Sequence, residues 1–160
     1  MKYLTGLGCY LFFLLVSGAG PVYAESVLWQ DWKTGLNLAR QKQRPIYVFI
    51  KSDHCPHCVK MEKETLLNPG VADTLNRDFI PVLIDADQDR PLIKKLGCKG
   101  YPDSRFLSPD EKTIFQFYGF QGPDVFAIFL KYVASGSYET MDVMAYFKSG
   151  KWKNRAGPKE

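Results

Sequence analysis

The stretch IYVFIKSDHCPHC, residues 46–58, decides the fold that the sequence predicts. It opens with β-branched and aromatic residues, the pattern of a strand buried on both faces of a sheet. Pro56 stands where a first helical turn would begin, a position that tolerates a residue without an N–H group. We therefore predict a buried strand over 46–50, a turn, and a helix from Pro56 to about Leu67. Cys55 and Cys58 fall where this helix begins.

This cysteine pair is compatible with a metal clip, a structural disulfide or a reactive dithiol. A structural zinc site needs four ligands, commonly from two separated pairs. Beyond the pair, the chain after residue 24 offers only His54, His57 and Cys98, so we expect no metal site. A structural disulfide across two residues would restrict the unfolded chain little and would add little stability. The pattern therefore favours a reactive dithiol.

The position of each cysteine predicts its role. A thiol at a helix N-terminus faces unpaired N–H groups, which favour the thiolate, the form that attacks disulfides. Cys55 is therefore the expected attacking sulfur. Cys58 lies one turn inside the helix and is the expected resolving sulfur. Pro56 and His57 lie between them and are expected to tune the site, since a protonated His57 would favour the thiolate further.

The two ends of the chain have a different character from its middle. Residues 1–24 combine an early cation, an apolar stretch and the A-x-A-like ending Val22-Tyr23-Ala24, which predicts a cleaved secretory signal. Cys9 would leave with it. The last residues form a basic tail around Trp152 that includes Arg155 and Lys159. The formal charge of +4 is modest and argues against a dedicated nucleic-acid binder.

Between these ends the patterns alternate between helix and strand. A strand is predicted over 27–29 and a helix over 31–43 with Asp31 as its N-cap. Asn68-Pro69 opens a helix to about Arg77. The run FIPVLID, residues 79–85, predicts a strand that Pro81 moves towards a sheet edge. A short helix over 91–96 follows and ends at Gly97.

The last part of the chain predicts a hairpin and a closing helix. The runs RFLS and TIFQFY flank the turn Pro109-Asp110-Glu111 and predict antiparallel strands. Pro123-Asp124 opens a helix with one apolar stripe, formed by Val125, Phe126, Phe129 and Val133. The spacing of Met141, Met144 and Phe147 predicts a final short amphipathic helix. These elements together predict an α/β fold with a mixed sheet.

The chain from about Val27 to Val133 resembles the thioredoxin fold. The resemblance is carried by the strand, Cys55-Pro56-His57-Cys58, the helix, and Gly100-Tyr101-Pro102 before a hairpin. Within that fold it resembles exported proteins related to the C-terminal domain of the membrane-bound thiol:disulfide interchange protein. The resemblance implies a mixed central sheet flanked by helices, without a large helical insertion. It places a thioredoxin-like domain at 25–136 and a C-terminal extension at 137–160.

By the same resemblance, Pro102 is a cis-proline facing the cysteines, and the backbone of Tyr101 pairs with an extended stretch of substrate. The chain departs from the family pattern at three places. Phe49 replaces a buried aspartate that assists proton transfer, which leaves Lys51, Asp53 or water as candidate acceptors. Arg105 interrupts an apolar strand, and Asp103 replaces a common threonine. Cys98 is either a third redox thiol or a small buried residue.

We therefore expect an exported thiol:disulfide oxidoreductase of a bacterial periplasm that needs no cofactor. Its expected partners are protein thiols and disulfides, together with a membrane redox partner that resets the dithiol. The scaffold favours a reductase or interchange role. The dipeptide Pro56-His57 also occurs in the periplasmic disulfide-introducing oxidase, so oxidation is an alternative. A non-enzymatic peptide-binding module on the same fold is another.

Overall fold

A computed structural model describes residues 26–153. The predicted signal peptide and the end of the predicted basic tail lie outside these residues. The strands are β1 Ile46–Lys51, β2 Ile80–Asp85, β3 Asp103–Leu107 and β4 Thr113–Tyr118. The α-helices are α1 Trp32–Lys42, α2 Pro56–Lys60, α3 Pro69–Asp78, α4 Arg90–Leu96, α5 Pro123–Ala134 and α6 Val143–Ser149. No helix in this part of the chain has the length and apolar character needed to cross a membrane.

The four strands form one mixed sheet in the order β2-β1-β3-β4. Strand β1 pairs parallel to β2 and antiparallel to β3, and β3 and β4 form the predicted hairpin. The first five residues of β1 are fully buried, as the apolar run predicts. Strand β2 lies at an edge of the sheet, where Pro81 can be accommodated without losing a ladder hydrogen bond.

Side chains on β1 alternate between two hydrophobic layers. Tyr47 and Phe49 face one layer, in which Phe106 and residues of α3 and α5 also pack. Ile46, Val48 and Ile50 face the other layer, which α1 and α4 cover. The sheet is therefore sandwiched between helices on both faces. This arrangement buries β1 between two helical layers, and the cysteine pair follows its carboxyl end.

Local sequence signals set most helix boundaries. The side chain of Asp31 accepts a hydrogen bond from the Thr34 N–H and caps α1. Asn68 caps α3 in the same way through the N–H groups of Gly70 and Val71. Gly97 adopts the left-handed conformation that ends α4. The helix predicted from Pro56 also forms, but after Lys60 it continues as a π-helix, Met61–Leu66, which the sequence did not predict.

The strand predicted over 27–29 is wrong. The Trp29 N–H bonds back to the Val27 carbonyl, so these residues form a local turn. Only Gln30 pairs with the sheet, through an isolated parallel bridge to Val82. The Gln30 N–H donates to the Pro81 carbonyl at 2.9 Å, and the Leu83 N–H donates to the Gln30 carbonyl at 3.1 Å. One residue therefore covers the edge of β2, where a full strand was expected.

The two closing helices differ from the prediction in which of their faces are buried: α5 buries its predicted stripe and more, whereas α6 buries a different face. Helix α5 buries more than one stripe, since α6 and the residues after it pack against α5 as well. Helix α6 begins only at Val143, capped by Asp142, and therefore excludes Met141. Met144 and Phe147 are exposed, whereas Tyr146 is buried with its ring 5.3 Å from that of Tyr132. The predicted apolar stripe of α6 is therefore wrong, although the helix itself is present.

Candidate active site

The cysteine pair lies at the carboxyl end of β1, in the turn that leads into α2. The Cys55 N–H donates to the Ser52 carbonyl at 3.2 Å and closes this turn. Pro56 occupies the first position of α2, where no hydrogen bond is lost. The strand, the turn and the helix therefore fix the backbone on both sides of Cys55.

Cys55 and Cys58 form a disulfide with their Cα atoms 5.2 Å apart. Cys58 is only 1% exposed, whereas Cys55 is half-buried, so an incoming group can reach only the first sulfur readily. The Sγ atom of Cys55 also accepts a hydrogen bond from the Cys58 N–H, at 3.1 Å. After reduction the same N–H would face the Cys55 thiolate and stabilise its charge.

The residues between the two cysteines are open to solvent. Pro56 and His57 are exposed, and so is His54 just before the pair. A charge on an exposed imidazole is screened by water, which limits how strongly His57 can act on the sulfur. The tuning role of Pro56 and His57 stays a prediction.

The Tyr101–Pro102 peptide bond is cis, as the resemblance implied. Pairing of Ile50 with Asp103 places this loop level with the end of β1, at the same edge of the sheet as the disulfide. Pro102 is buried, while Tyr101 is 37% exposed. Burial raises the pKa of the Tyr101 hydroxyl, and the negative charges of neighbouring groups, including Asp87, add to this effect. The disulfide turn and the Tyr101 loop therefore border one surface.

Two departures from the family pattern, Asp103 and Arg105, form one buried ion pair. The Arg105 Nε donates to both carboxylate oxygens of Asp103 at 3.1 Å, and Nη2 lies 2.5 Å from Oδ2. Arg105 Nη1 donates to the Leu96 carbonyl at the end of α4. Burial, the largest single effect, lowers the pKa of Arg105, but the hydrogen bonds to Asp103 and the negative charges of Asp103 and neighbouring groups together outweigh burial and raise it. Strand β3 runs through Arg105, so the strand predicted over RFLS forms and begins two residues earlier, at Asp103.

Cys98 does not have the environment of a reactive thiol. It is half-buried, and its Sγ donates to the Gly100 carbonyl at 3.4 Å. Burial raises the pKa of Cys98 to about 11, so the thiol stays protonated at neutral pH. Of the two interpretations of Cys98, this environment favours the small, partly buried residue.

The position of the family's buried aspartate is filled by aromatic packing. Phe49 is fully buried and stacks on Trp29, with ring centroids 6.0 Å apart. Among the candidate acceptors, Lys51 lies 3.0 Å from Glu62. The hydrogen bond to Glu62 raises the pKa of Lys51 and keeps it a cation. Lys51 is therefore unsuited to accept a proton from Cys58 at neutral pH.

The structure also brings three aspartate carboxylates together at the disulfide turn. The sequence pattern did not reveal this cluster. Asp53, Asp85 and Asp87 have carboxylate oxygens within 4.8 Å of one another. Asp87 Oδ2 accepts hydrogen bonds from the Ser52 hydroxyl at 2.9 Å and from the Asp53 N–H at 2.8 Å. The only sequence signal is the acidic run Asp85-Ala86-Asp87-Gln88-Asp89, which lies far along the chain from the cysteines.

Comparison with known proteins supports the same architecture. Residues 32–134 match the family model described as Thioredoxin-like domain. A 92-residue stretch is 32% identical to the uncharacterized protein B0495.5 of Caenorhabditis elegans, covering 51% of this chain and 12% of that protein. The chain thus spans a small part of the length of this curated relative.

Solved structures give the same result. The solution structure of a thioredoxin from Thermus thermophilus is similar, with a TM-score of 0.62 and 26% identity over 68% of this chain and 88% of that one. The C-terminal domain of DsbD from Neisseria meningitidis, in the reduced form, has a TM-score of 0.54 and 22% identity over 62% of this chain and 90% of its own. At this identity, the DsbD likeness bears on the fold alone. The thioredoxin fold predicted from the sequence is confirmed.

Proposed function

Because the chain belongs to the thioredoxin-like domain family, we propose that it is a thiol:disulfide oxidoreductase acting on proteins through Cys55 and Cys58. One observation carries this proposal. The sulfur of half-buried Cys55 accepts the N–H of Cys58 at the start of a helix, while Cys58 is fully buried. This geometry gives the two cysteines unequal roles, as sequential thiol–disulfide exchange requires.

The reaction proceeds in two exchanges. The Cys55 thiolate attacks one sulfur of a substrate disulfide, forms a mixed disulfide and releases the first substrate thiolate. The Cys58 thiolate then attacks the Cys55 sulfur, forms the intramolecular disulfide and releases the second substrate thiolate. Two electrons pass from the dithiol to the substrate. The two protons lost by the cysteines balance those that the substrate thiolates take up.

The surface beside the disulfide suits a polypeptide substrate. Tyr101 is partly exposed beside the buried cis-proline, level with the end of β1. A backbone at such a position can pair with an extended chain, as in other cases of strand addition. We assign substrate binding to Tyr101 and Pro102 on this basis. Protein thiols and disulfides are therefore the proposed substrates.

The charges near Cys55 support the reductase direction. Asp53 lies two residues before Cys55. The carboxylates of Asp85 and Asp87 lie within 4.8 Å of the Asp53 carboxylate. Negative charge near a sulfur disfavours the thiolate, which weakens the reduced form relative to the disulfide and makes the pair a better electron donor. His57 acts in the opposite sense and favours an oxidase. Its exposed position lets solvent screen this effect.

The remaining parts of the proposal concern the setting of the reaction. The apolar segment within residues 1–24 supports export through a cleaved signal, and a bacterial periplasm is the compartment we propose. A protein that donates electrons in an oxidising compartment must be reduced again after each turnover. A membrane redox partner that resets the Cys55–Cys58 pair would supply these electrons.

The proposed activity can be tested by following the reduction of insulin in the presence of dithiothreitol. Wild-type protein is expected to accelerate the reaction, and Cys55→Ser to abolish the acceleration, because the attacking sulfur is gone. Cys98→Ser is the matched control and is expected to act like wild type. Equal turnover in wild type and Cys55→Ser would contradict the proposal. The equilibrium of the pair with glutathione gives the direction: about −270 mV indicates a reductase and about −120 mV an oxidase.

A further inference from the structure

The carboxylate of Asp87 holds the turn that carries Cys55. Its Oδ2 accepts hydrogen bonds from the Ser52 hydroxyl at 2.9 Å and from the Asp53 N–H at 2.8 Å. Ser52 in turn accepts the Cys55 N–H through its carbonyl, at 3.2 Å. Two hydrogen bonds therefore tie Asp87 to the turn, and a third joins the turn to the backbone of the half-buried Cys55.

Asp87 is itself held by the end of the sheet. Strand β2 ends at Asp85, which is paired with Lys51 at the end of β1. The Ala86 N–H donates to the Lys51 carbonyl at 2.8 Å, and the Asp87 N–H donates to Asp85 Oδ1 at 2.9 Å. The Asp87 carboxylate is thus tied to the two strand ends that border the cysteine turn. Its hydrogen bonds to Ser52 and Asp53 therefore fix the turn relative to these strand ends.

The surroundings of Asp87 keep it ionised. The Asp53 N–H and then the Ser52 hydroxyl lower the pKa of its carboxyl, and His54 and Arg90 lower it further. An ionised carboxylate forms stronger hydrogen bonds than a neutral acceptor does. At neutral pH the turn is therefore held by two charge-assisted bonds to one oxygen.

We propose that Asp87 is a positioning residue for the exchange reaction: by bonding Ser52 and Asp53 it holds the Cys55 sulfur at the start of helix α2. The inference rests on the proposed function. Without these bonds the Ser52–Cys55 turn gains freedom, and the sulfur spends less time where it can accept the Cys58 N–H. The thiolate then loses stabilisation and reacts more slowly. Asp87 contacts neither sulfur and acts only through the turn.

Two substitutions that remove the same charge isolate the hydrogen bonds. Asp87→Asn keeps an oxygen that can accept both bonds, whereas Asp87→Ala removes it. The measurement is the rate at which iodoacetamide alkylates Cys55 in the reduced protein at pH 7, located by peptide mass spectrometry. We expect Asp87→Ala to react about fivefold more slowly than Asp87→Asn, the effect of about one lost hydrogen bond. Equal rates within twofold would overturn the proposal.

Two further variants separate the hydrogen bonds of Asp87 from the negative charge of its loop. Ser52→Ala keeps the charge of Asp87 but removes the hydrogen bond from the Ser52 hydroxyl. It is expected to slow alkylation of Cys55 about threefold. A rate equal to that of wild type would also overturn the proposal. Asp89→Asn removes a charge from the same loop, and asparagine can still cap α4 at the Leu92 N–H. It is expected to stay within twofold of wild type, and a fivefold loss would overturn the proposal.

The same variants are compared in the equilibrium constant for exchange between the Cys55–Cys58 pair and glutathione. A structural defect away from the site would leave this constant unchanged. Asp87→Ala is expected to shift the exchange equilibrium constant about fivefold from that of Asp87→Asn. Both measurements use small reagents in place of a protein substrate. Failure of wild type to reduce insulin would thus reject the proposed function, while these rates and equilibria would still decide the role of Asp87.

Discussion

The Arg105 guanidinium and the Asp103 carboxylate pair within strand β3, with Nη2 and Oδ2 2.5 Å apart and both side chains buried. Asp103 directly follows the cis-proline, and Arg105 also bonds the Leu96 carbonyl. The pair therefore links the end of α4 to the strand that begins after Pro102. Each residue departs from the family pattern. Together they satisfy each other's buried charge and hydrogen bonds.

The stability losses from removing the two members of this pair are not expected to add. Arg105→Val should lower the free energy of unfolding by about 3–5 kcal/mol, because it leaves the Asp103 charge buried without its partner. The double variant Asp103→Val with Arg105→Val should lose less than the sum of the two single variants. Urea unfolding measures all three. Additive losses would mean that the two side chains do not stabilise each other.

Cys98 is expected to take no part in exchange. Its pKa of about 11 leaves about one thiol in a thousand ionised at pH 8. In reduced protein at pH 7, iodoacetamide should therefore label Cys55 at least about tenfold faster than Cys98. Mass spectrometry of the labelled peptides gives both rates from one sample. Labelling of Cys98 first would restore its interpretation as a third redox thiol.

Lys51 is expected not to accept the proton from Cys58. The hydrogen bond to Glu62 raises the pKa of Lys51, so the side chain is already protonated at the neutral pH of the assay. Lys51→Met should therefore keep the insulin-reduction rate within about threefold of wild type, as should the exposed control Lys94→Met. A loss of tenfold or more in Lys51→Met alone would assign proton transfer to this residue.

The packing of α1 on the sheet depends on Gly35. A Cβ atom at this position would collide with the Val82 Cγ2 atom, in a helix that lies directly on β2. Gly35→Ala should therefore destabilise the protein by about 1–3 kcal/mol, even though alanine is the better helix former. Thermal or urea unfolding provides the measurement.

A companion variant makes the role of Gly35 specific. Val82→Ala removes the colliding Cγ2 methyl group, so the double variant should lose less stability than the two single changes added together. Gly70→Ala is the control, because a Cβ there meets only the Asn68 side chain at an ordinary distance of 3.5 Å. A Gly35→Ala protein as stable as wild type would mean that α1 packs differently on the sheet.

Local signals in the sequence were enough to predict the order of most elements. The apolar run of β1 and the caps Asp31 and Asn68 act within a few residues, so their patterns can be recognised directly. The errors lie where tertiary contacts decide. Residues 27–29 have strand-like side chains, but only Gln30 reaches the edge of β2. In α6 the spacing of Met144 and Phe147 suggested a buried face, yet the helix packs through Tyr146, whose ring contacts Tyr132.

In the candidate site, too, the sequence predicted the features set by local patterns and missed those set by tertiary contacts. The roles assigned to Cys55 and Cys58 follow from their spacing at the start of a helix, and the place of Pro102 follows from the family resemblance. The ion pair of Asp103 and Arg105 was missed, because each residue by itself reads only as a polar break in an apolar strand. Asp87 was also missed, since its bond to Ser52 joins residues 35 positions apart and depends on the register of two strands. The spacing of residues along the sequence cannot predict such a contact.

The central claim is that Cys55 attacks a substrate disulfide and Cys58 completes the exchange. The most direct measurement uses Cys58→Ser, in which the second step is blocked, incubated with oxidised insulin and analysed by non-reducing mass spectrometry. We expect a mixed disulfide joining Cys55 to an insulin chain, released by dithiothreitol, and no such adduct in Cys55→Ser. An adduct at Cys98, or none at any cysteine, would contradict the account.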